Sequence, residues 1–360
     1  MRIGLAFNQR PNDVLADHDG ERRTTYQPLT DAYVEWDDPE TIEAVRSALT
    51  VFGEVILLEA DRDFPIRLRD AGVDFLFNMA EGSSGPSREA HVPAIAEFYG
   101  IPYLGSDPLT LTIALHKGRA KEVFRQRNIP TAPFLWIESE PELAALRNGH
   151  PYPAFLKPVW EGSSMGIAEA NFVRTPSEAV ARARELLTTY GQPVLAEAFL
   201  PGDEFTVAVL GNGPDIRTLP IIRYRFGELP EGALPIMGYE AKWVWDTPEA
   251  ELQLLECPAD VSEEVAGRVR ETALAAYRAL GCRDWSRVDL RLDAEGVAHV
   301  IEVNPLPGII PDPLANSCFP CAARAAGMTY DELIQAAARI AWRRISGREL
   351  ALHPLTGVAT

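Results

Sequence analysis

The sequence is short of several things, and each shortage removes a class of function. Basic residues are scarce: 34 Lys and Arg stand against 52 Asp and Glu, a formal charge of −18. Nucleic acid needs a basic face to neutralise its phosphates, so no such partner is expected. Any anionic ligand must instead meet locally placed Lys and Arg or backbone N–H groups. No apolar run approaches the length of a membrane span, so no membrane partner is expected. The opening MRIGLAFNQRP lacks an apolar signal core and goes straight into a strand pattern, which makes the cytoplasm the expected compartment. Four cysteines, Cys257, Cys282, Cys318 and Cys321, are too few to frame a chain of 360 residues with disulfides. Cys318-Phe-Pro-Cys321 has redox or zinc spacing, yet no second pair or nearby histidine accompanies it, and the cysteines read as small buried apolar residues. The histidines are isolated, and nothing suggests a nucleophile–histidine pair.

What is present centres on Trp285 to Gly308, WSRVDLRLDAEGVAHVIEVNPLPG. Val288, Leu290 and Leu292 alternate with Asp289, Arg291 and Asp293, then Ala294-Glu295-Gly296 supplies a turn and Val297 to Val303 a second apolar run. This is a hairpin. Arg287, Asp289 and Arg291 share one face, as do Glu302 and Asn304 on the second strand. Asp289, Glu302 and Asn304 together offer oxygen ligands from paired strands, a set that suits Mg²⁺, which fills its octahedron with water and substrate phosphates. The plainer reading, a surface hairpin with an acidic rim, serves the first strand alone but not the pair ended by NPLPG.

The length allows two or three domains. Residues 1–106 alternate strands (Arg2–Phe7, Glu54–Leu58, Val73–Phe77) with helices (Pro39–Thr50, Phe64–Ala71, Arg88–Tyr99), which implies a parallel sheet with ligand loops at the strand C-termini. Asp37 or Asp38 is placed to cap the first helix. The polar stretch Asn8–Glu35 has no periodicity, and irregular chain of that length is more often functional or mobile than not. Residues 107–197 form a second unit: helices Pro108–Ala114, Lys117–Arg127 and Pro176–Tyr190, with strands Phe134–Ile137, Ala154–Lys157 and Val194–Phe199. Residues 198–347 form a third, with strand Asp203–Leu210, helix Val261–Leu280, the hairpin and helix Thr329–Arg344; residues 348–360 are a tail.

Several loops carry candidate chemistry. Asn78-Met-Ala-Glu81-Gly82 follows a strand and is either a ligand loop or a flexible connection. Lys157-Pro-Val-Trp-Glu161-Gly162-Ser163-Ser164-Met165-Gly166 puts a lysine at a strand end before small residues whose N–H groups can approach phosphate. It is not a P-loop, because no Gly-Lys-Ser/Thr enters a helix. Glu197 and Glu204 flank a Pro-Gly turn, where they suit adenine and ribose or simply face solvent. Gly238-Tyr-Glu-Ala-Lys242-Trp243 reads as a lid over phosphates or as an ordinary lysine lying along apolar surface.

In this fixed order, Lys117, Lys157 with its loop, Glu197 to Glu204, Lys242 and the Arg287/Asp289/Glu302/Asn304 set resemble the ATP-grasp superfamily. Within it, FLKPVWEGSSMGI, EAFLPGDEFTVAVLG, RVDLRLD, EVNPLPG and CAARAAGMTYDELI are similar to the D-alanine–D-alanine ligases, from about Asp74 onward. The resemblance implies an α/β, three-domain ATP-grasp architecture: a Rossmann-like parallel-sheet domain, then central and C-terminal α+β domains holding ATP between them. It implies that Lys117 and Lys157 contact ATP phosphates beneath a closing loop of Glu161, Ser163, Ser164 and Met165. The backbone of Glu197, Ala198, Phe199 and Leu200 would read adenine, and Glu204 the ribose. Asp289, Glu302 and Asn304 would hold two Mg²⁺, with Mn²⁺ as a substitute. Arg287, Lys242, Ser163 and the N–H near Gly308 form the implied catalytic set, and Glu81, Trp243, Arg287, Gly308 and Ser317 the substrate set. A homodimer enters by resemblance alone.

The implied reaction joins a small carboxylate to an amine through an acyl phosphate, releasing ADP and phosphate. The chain departs from the family at the substrate end. No counterpart of the family's amine-gripping glutamate stands among Asn8–Thr30, Asn78-Met-Ala-Glu-Gly replaces a His-Gly motif, and Trp243 stands where tyrosine is usual. An insertion at Pro311–Leu314 is expected to shift Ser317. These departures suggest a ligase with altered substrates; the alternatives are a genuine D-alanine–D-alanine ligase, a non-catalytic ATP binder, and an ester-forming or kinase relative.

Overall fold

The structure, a computed structural model, describes residues 1–11, 33, 35–238, 241, 245 and 252–353. Its first sheet is parallel, as the alternation of strands and helices requires, with β1 (Arg2–Phe7) between β2 (Glu54–Glu59) and β3 (Phe75–Asn78). Successive β1 side chains go to opposite faces. Ile3, Leu5 and Phe7 join one core with Ile42, Val45 and Leu49 of helix Pro39–Leu49. Ala6 joins another with Phe64, Leu68, Val92 and Ala96 from the helices on the far side. Covered on both faces, β1 reads as the unbroken apolar run of a parallel strand.

Two local expectations change. Asp38 does take the N-cap position of helix Pro39–Leu49, but its carboxylate makes no cap bond and pairs with Arg10 at 3.2 Å. The helix expected from Arg88 is a 3₁₀ turn, Arg88–Ala90, followed by α-helix His91–Tyr99. Pro93 has no N–H to reach the Glu89 carbonyl, so the regular ladder starts late.

The second sheet is antiparallel, in the order β4 (Phe134–Ile137), β7 (Val194–Ala198), β5 (Ala154–Pro158), β6 (Phe172–Val173). Helix Pro176–Tyr190 covers it, capped by Thr175 and stopped by left-handed Gly191. The third sheet contains β8 (Glu204–Leu210), β10 (Ile222–Tyr224), β11 (Leu255–Glu256), β12 (Trp285–Leu292) and β13 (Ala298–Asn304), with β9 (Arg217–Thr218) on β8. β12 is interior, flanked by β8 and β13. The second and third sheets meet where the Thr131 hydroxyl donates to the Val300 carbonyl at 2.9 Å.

The first unit does not close on itself. Helix Tyr330–Ser346 lies in the same core as Ile3 and Leu5, with Trp342 edge-on to Phe75 at 6.0 Å and Gln335 donating to the Ala48 carbonyl. Trp285, wholly buried, packs edge-on against Phe77 and Phe319 and ties β12 to both. The cysteines also depart from expectation. Cys282 and Cys318 are buried, whereas Cys257 and Cys321 are half-buried, with the Cys257 thiol 3.9 Å from the Pro220 carbonyl. Cys318 meets the Tyr224 hydroxyl at 3.2 Å, and the four thiols are free of disulfides.

Candidate active site

The β12–β13 ladder sets the site's acids. Arg287 lies opposite Asn304 and Asp289 opposite Glu302, after which the register shifts between Asp289 and Leu290. Opposed residues share a face, so both carboxylates point into one cleft. Arg287 donates to Asp289 at 3.1 and 2.9 Å, and Asn304 Nδ2 donates to Asp289 Oδ2 at 3.2 Å. Lys117 Nζ stands 3.3 Å from Glu302 Oε2. Burial works against the Glu302 charge, but Lys117, Lys157 and Arg287 outweigh it and hold the carboxyl at about 2.

Among the described residues, no three His, Cys, Asp or Glu side chains cluster as a metal cage. Two carboxylates and the Asn304 amide oxygen would suit an ion that keeps water and phosphate oxygens in its shell, as Mg²⁺ does.

Behind these acids lies a buried charge cluster. Glu197 on β7 is clamped by Lys121 at one oxygen and by Lys157, at 2.5 Å, on the other. All three side chains are nearly inaccessible to solvent. Burial alone would lift the Glu197 pKa, yet the two lysines hold it below the ordinary value. Its carboxylate is therefore spent on lysines, and only its backbone is left for a ligand. Lys121 was absent from the sequence reading. It stands four residues beyond Lys117 on one helix and so shares its face, but that spacing alone does not reveal Glu197 as its partner.

Lys157 ends β5 and opens the Gly/Ser loop. Ser163 and Ser164 take positive φ, 46° and 64°, an uncommon backbone that turns successive N–H groups toward one side. The Ser164 hydroxyl donates to the Met237 carbonyl at 2.9 Å, and Lys117 Nζ donates to the Glu161 carbonyl. Met165 stands apart: its side chain is buried outside the cleft and its N–H is taken by the Gly162 carbonyl at 2.8 Å.

Two adjoining cavities meet at Lys157 and Glu204. The larger, about 230 Å³, is polar and brings together Lys117, Glu161, Ser163, Ser164, Arg287 and the acids of the hairpin. The smaller, about 110 Å³, is mostly apolar, lined by Ala198, Phe199, Leu200, Met237 and Ile301. Arg291, 2.8 Å from Glu204, lies over the Phe199 ring at its edge. Burial lifts Glu204 to about 7 against the pull of Arg291.

The far wall of the larger cavity comes from the first unit and is acidic. Glu81, Glu89 and Asp37 line it, and among the described residues no hydrogen bond or ion pair engages their carboxylates. Burial raises all three, Glu89 to about 7. Of these only Glu81 was picked from sequence. Gly308 and Ser317 share this cavity with Arg287. The Pro311–Leu314 insertion leaves Ser317 in the cavity wall. The inserted residues loop outward, leaving Leu314 exposed, while Ser317 stays buried and accepts from the Ile310 N–H at 3.2 Å. Lys242 and Trp243 lie outside the described residues.

Two antiparallel sheets facing across a cleft, one bringing Lys157 and a Gly/Ser loop and the other paired acids, are an ATP-grasp arrangement. The family model described as D-ala D-ala ligase C-terminus matches residues 123–338. A D-alanine–D-alanine ligase from Bordetella petrii is 35% identical over 74% of this chain and 75% of its own length. An uncharacterized protein, y4sG, from Sinorhizobium fredii is 31% identical over 89% of this chain and 93% of its own. The solved D-alanine–D-alanine ligase of Bacillus anthracis in complex with ATP superposes with a TM-score of 0.68 at 21% identity, covering 96% of this chain and 98% of that one, a likeness of fold. The chain belongs to the D-alanine–D-alanine ligase family and is an ATP-dependent ligase.

The charge cluster yields a stability prediction. Replacing Glu197 by Leu leaves two buried lysines without their counter-charge, which costs about 3–5 kcal/mol. Urea denaturation of Glu197→Leu measures it, and a loss below about 1 kcal/mol would contradict the clamp. Because Glu197 titrates below its ordinary pKa, its contribution is present above that ordinary value and is lost as pH falls through the lowered one.

Proposed function

We propose that this protein is an ADP-forming carboxylate–amine ligase that joins small amino-acid-type substrates through an acyl phosphate. One observation carries the reading: a single cavity holds the phosphate-binding lysines, the paired acids, Arg287 and an acidic wall. The mostly apolar cavity suits adenine, read by the backbone from Glu197 to Leu200, and Glu204 at its edge suits the ribose. Lys117, Lys157 and the Gly/Ser loop meet the phosphates. Asp289, Glu302 and Asn304 would hold Mg²⁺, which when bound would draw charge from the transferring phosphoryl group.

A carboxylate placed near Arg287 attacks the γ-phosphorus, ADP leaves, and an amine then attacks the acyl carbon and expels phosphate. Arg287 and the N–H near Gly308 face the oxyanion of that second step. The open carboxylates of Asp37, Glu81 and Glu89 suit an ammonium group, which is the support for amino-acid substrates. Ser317 suits the carboxylate of the second substrate.

A genuine D-alanine–D-alanine ligase is the second reading, favoured by relatives that carry that name. Asn78 and the acidic wall in place of the family's His-Gly motif weigh toward a different pair of substrates.

Phosphate release from ATP and Mg²⁺, measured across single and paired D- and L-amino acids, tests both. Release with some acid–amine pair is the expected outcome, and release with D-alanine alone selects the second reading. No release with any pair, from protein that binds ATP, contradicts ligation of amino acids. In the active pair, Ser317→Ala raises KM for the second substrate by about tenfold or more and leaves KM for ATP within about twofold; equal rises would remove Ser317 from the substrate site.

A further inference from the structure

Arg88 belongs to the first unit, yet it reaches the root of the Gly/Ser loop in the second. Its Nη1 donates to the Trp160 carbonyl at 2.8 Å, while Nε and Nη2 hold Glu35 at 3.2 and 2.7 Å. Arg88 is only 8% exposed, and both side chains of the pair are about equally enclosed. Glu35 in turn sits against Gly162, where an added Cβ would collide with its carboxylate. Lys117 grips the next carbonyl, that of Glu161, from the phosphate side. Two consecutive loop carbonyls are thus held by cations from different units.

The segment carrying Glu35 is itself anchored, since Trp36 Nε1 donates to the Gly82 carbonyl and the Gly82 N–H donates to Asn8 Oδ1 at the end of β1. Arg88 and Glu35 are therefore braced by the first sheet. A pair serving only that sheet would have no need of the Trp160 carbonyl.

We propose that Arg88, oriented by Glu35, is a positioning residue that clasps the Trp160–Gly162 backbone and so makes the first unit part of the apparatus that closes the loop over phosphate. The guanidinium suits this work because its rigid planar fork directs Nε and Nη2 at Glu35 and Nη1 at the carbonyl in fixed directions, which a rotating ammonium does not. Loop closure then depends on the first unit, whose acidic wall faces the substrate. The consequence for ligation rests on the ligase reading, but the clasp itself does not.

Hydrogen exchange of the whole protein without nucleotide tests the clasp directly. In Arg88→Gln, amides of residues 160–167 exchange about tenfold faster or more, those of β1 and β2 are unchanged, and Arg88→Lys recovers only part of the protection. Where turnover is measured, KM for ATP rises by about tenfold or more in Arg88→Gln. Unchanged loop exchange in a folded Arg88→Gln protein overturns the proposal. If that variant fails to fold, Gly162→Ala and Glu35→Ala replace it. Gly162→Ala loosens the loop in the native background and adds little in the Glu35→Ala background, and strictly additive effects overturn the proposal. Loosening without any ligase turnover would leave the clasp standing and sink the functional reading instead.

Discussion

Buried charge is the constraint on which this structure turns. A lysine or carboxylate withdrawn from water costs several kcal/mol unless an opposite charge sits beside it. The cleft of this protein must nonetheless keep cations ready for an anionic ligand. It does so by matching them internally: Glu197 between Lys121 and Lys157, Glu302 beside Lys117, and Asp289 beside Arg287. Among the described residues, Lys117, Lys157 and Arg287 thus each have a carboxylate behind or beside them. Asp289 and Glu302 are also the acids proposed to hold a divalent ion, so acids and lysines are interleaved along the cleft.

The fold holds these pairs in place by setting them on strands. β12 lies between β8 and β13, so its side chains cannot slip register without moving Arg291 from Glu204 on one side and Asp289 from Glu302 on the other. Trp285 fixes the same strand against Phe77 and Phe319, which carries its position into the first sheet. Groups on strands are placed more firmly than groups on loops. The loops then bring what must adapt: the Gly/Ser segment with its left-handed serines, and the outward turn that leaves Ser317 in the cavity.

Much of this was legible in the sequence wherever local pattern and chemistry coincide. The alternation around Asp289 gives the hairpin, the strand-end lysine before small residues gives a loop at the cleft, and Phe64–Ala71, Phe134–Ile137 and Pro176–Tyr190 fall where periodicity and caps place them. What escaped was tertiary. Lys121 looked like one more helix lysine because nothing local shows that Glu197 lies beside it. Arg88, Glu89 and Asp37 gain meaning only when the first unit folds against the cleft, and the sharing of its core with helix Tyr330–Ser346 has no local signature at all. The reading of the cysteines as small buried residues holds for Cys282 and Cys318 and not for the half-buried Cys257 and Cys321.

The central claim is that this matched-charge cleft transfers the γ-phosphoryl group of ATP to a carboxylate. The most direct measurement uses the amino acid that supports turnover, labelled with ¹⁸O in both carboxylate oxygens, and reads the mass of the released phosphate. An acyl phosphate leaves one substrate oxygen on phosphorus, so the account predicts one ¹⁸O per phosphate. Phosphate free of label, with its new oxygen drawn from water, would mean that ATP is merely hydrolysed and would contradict it.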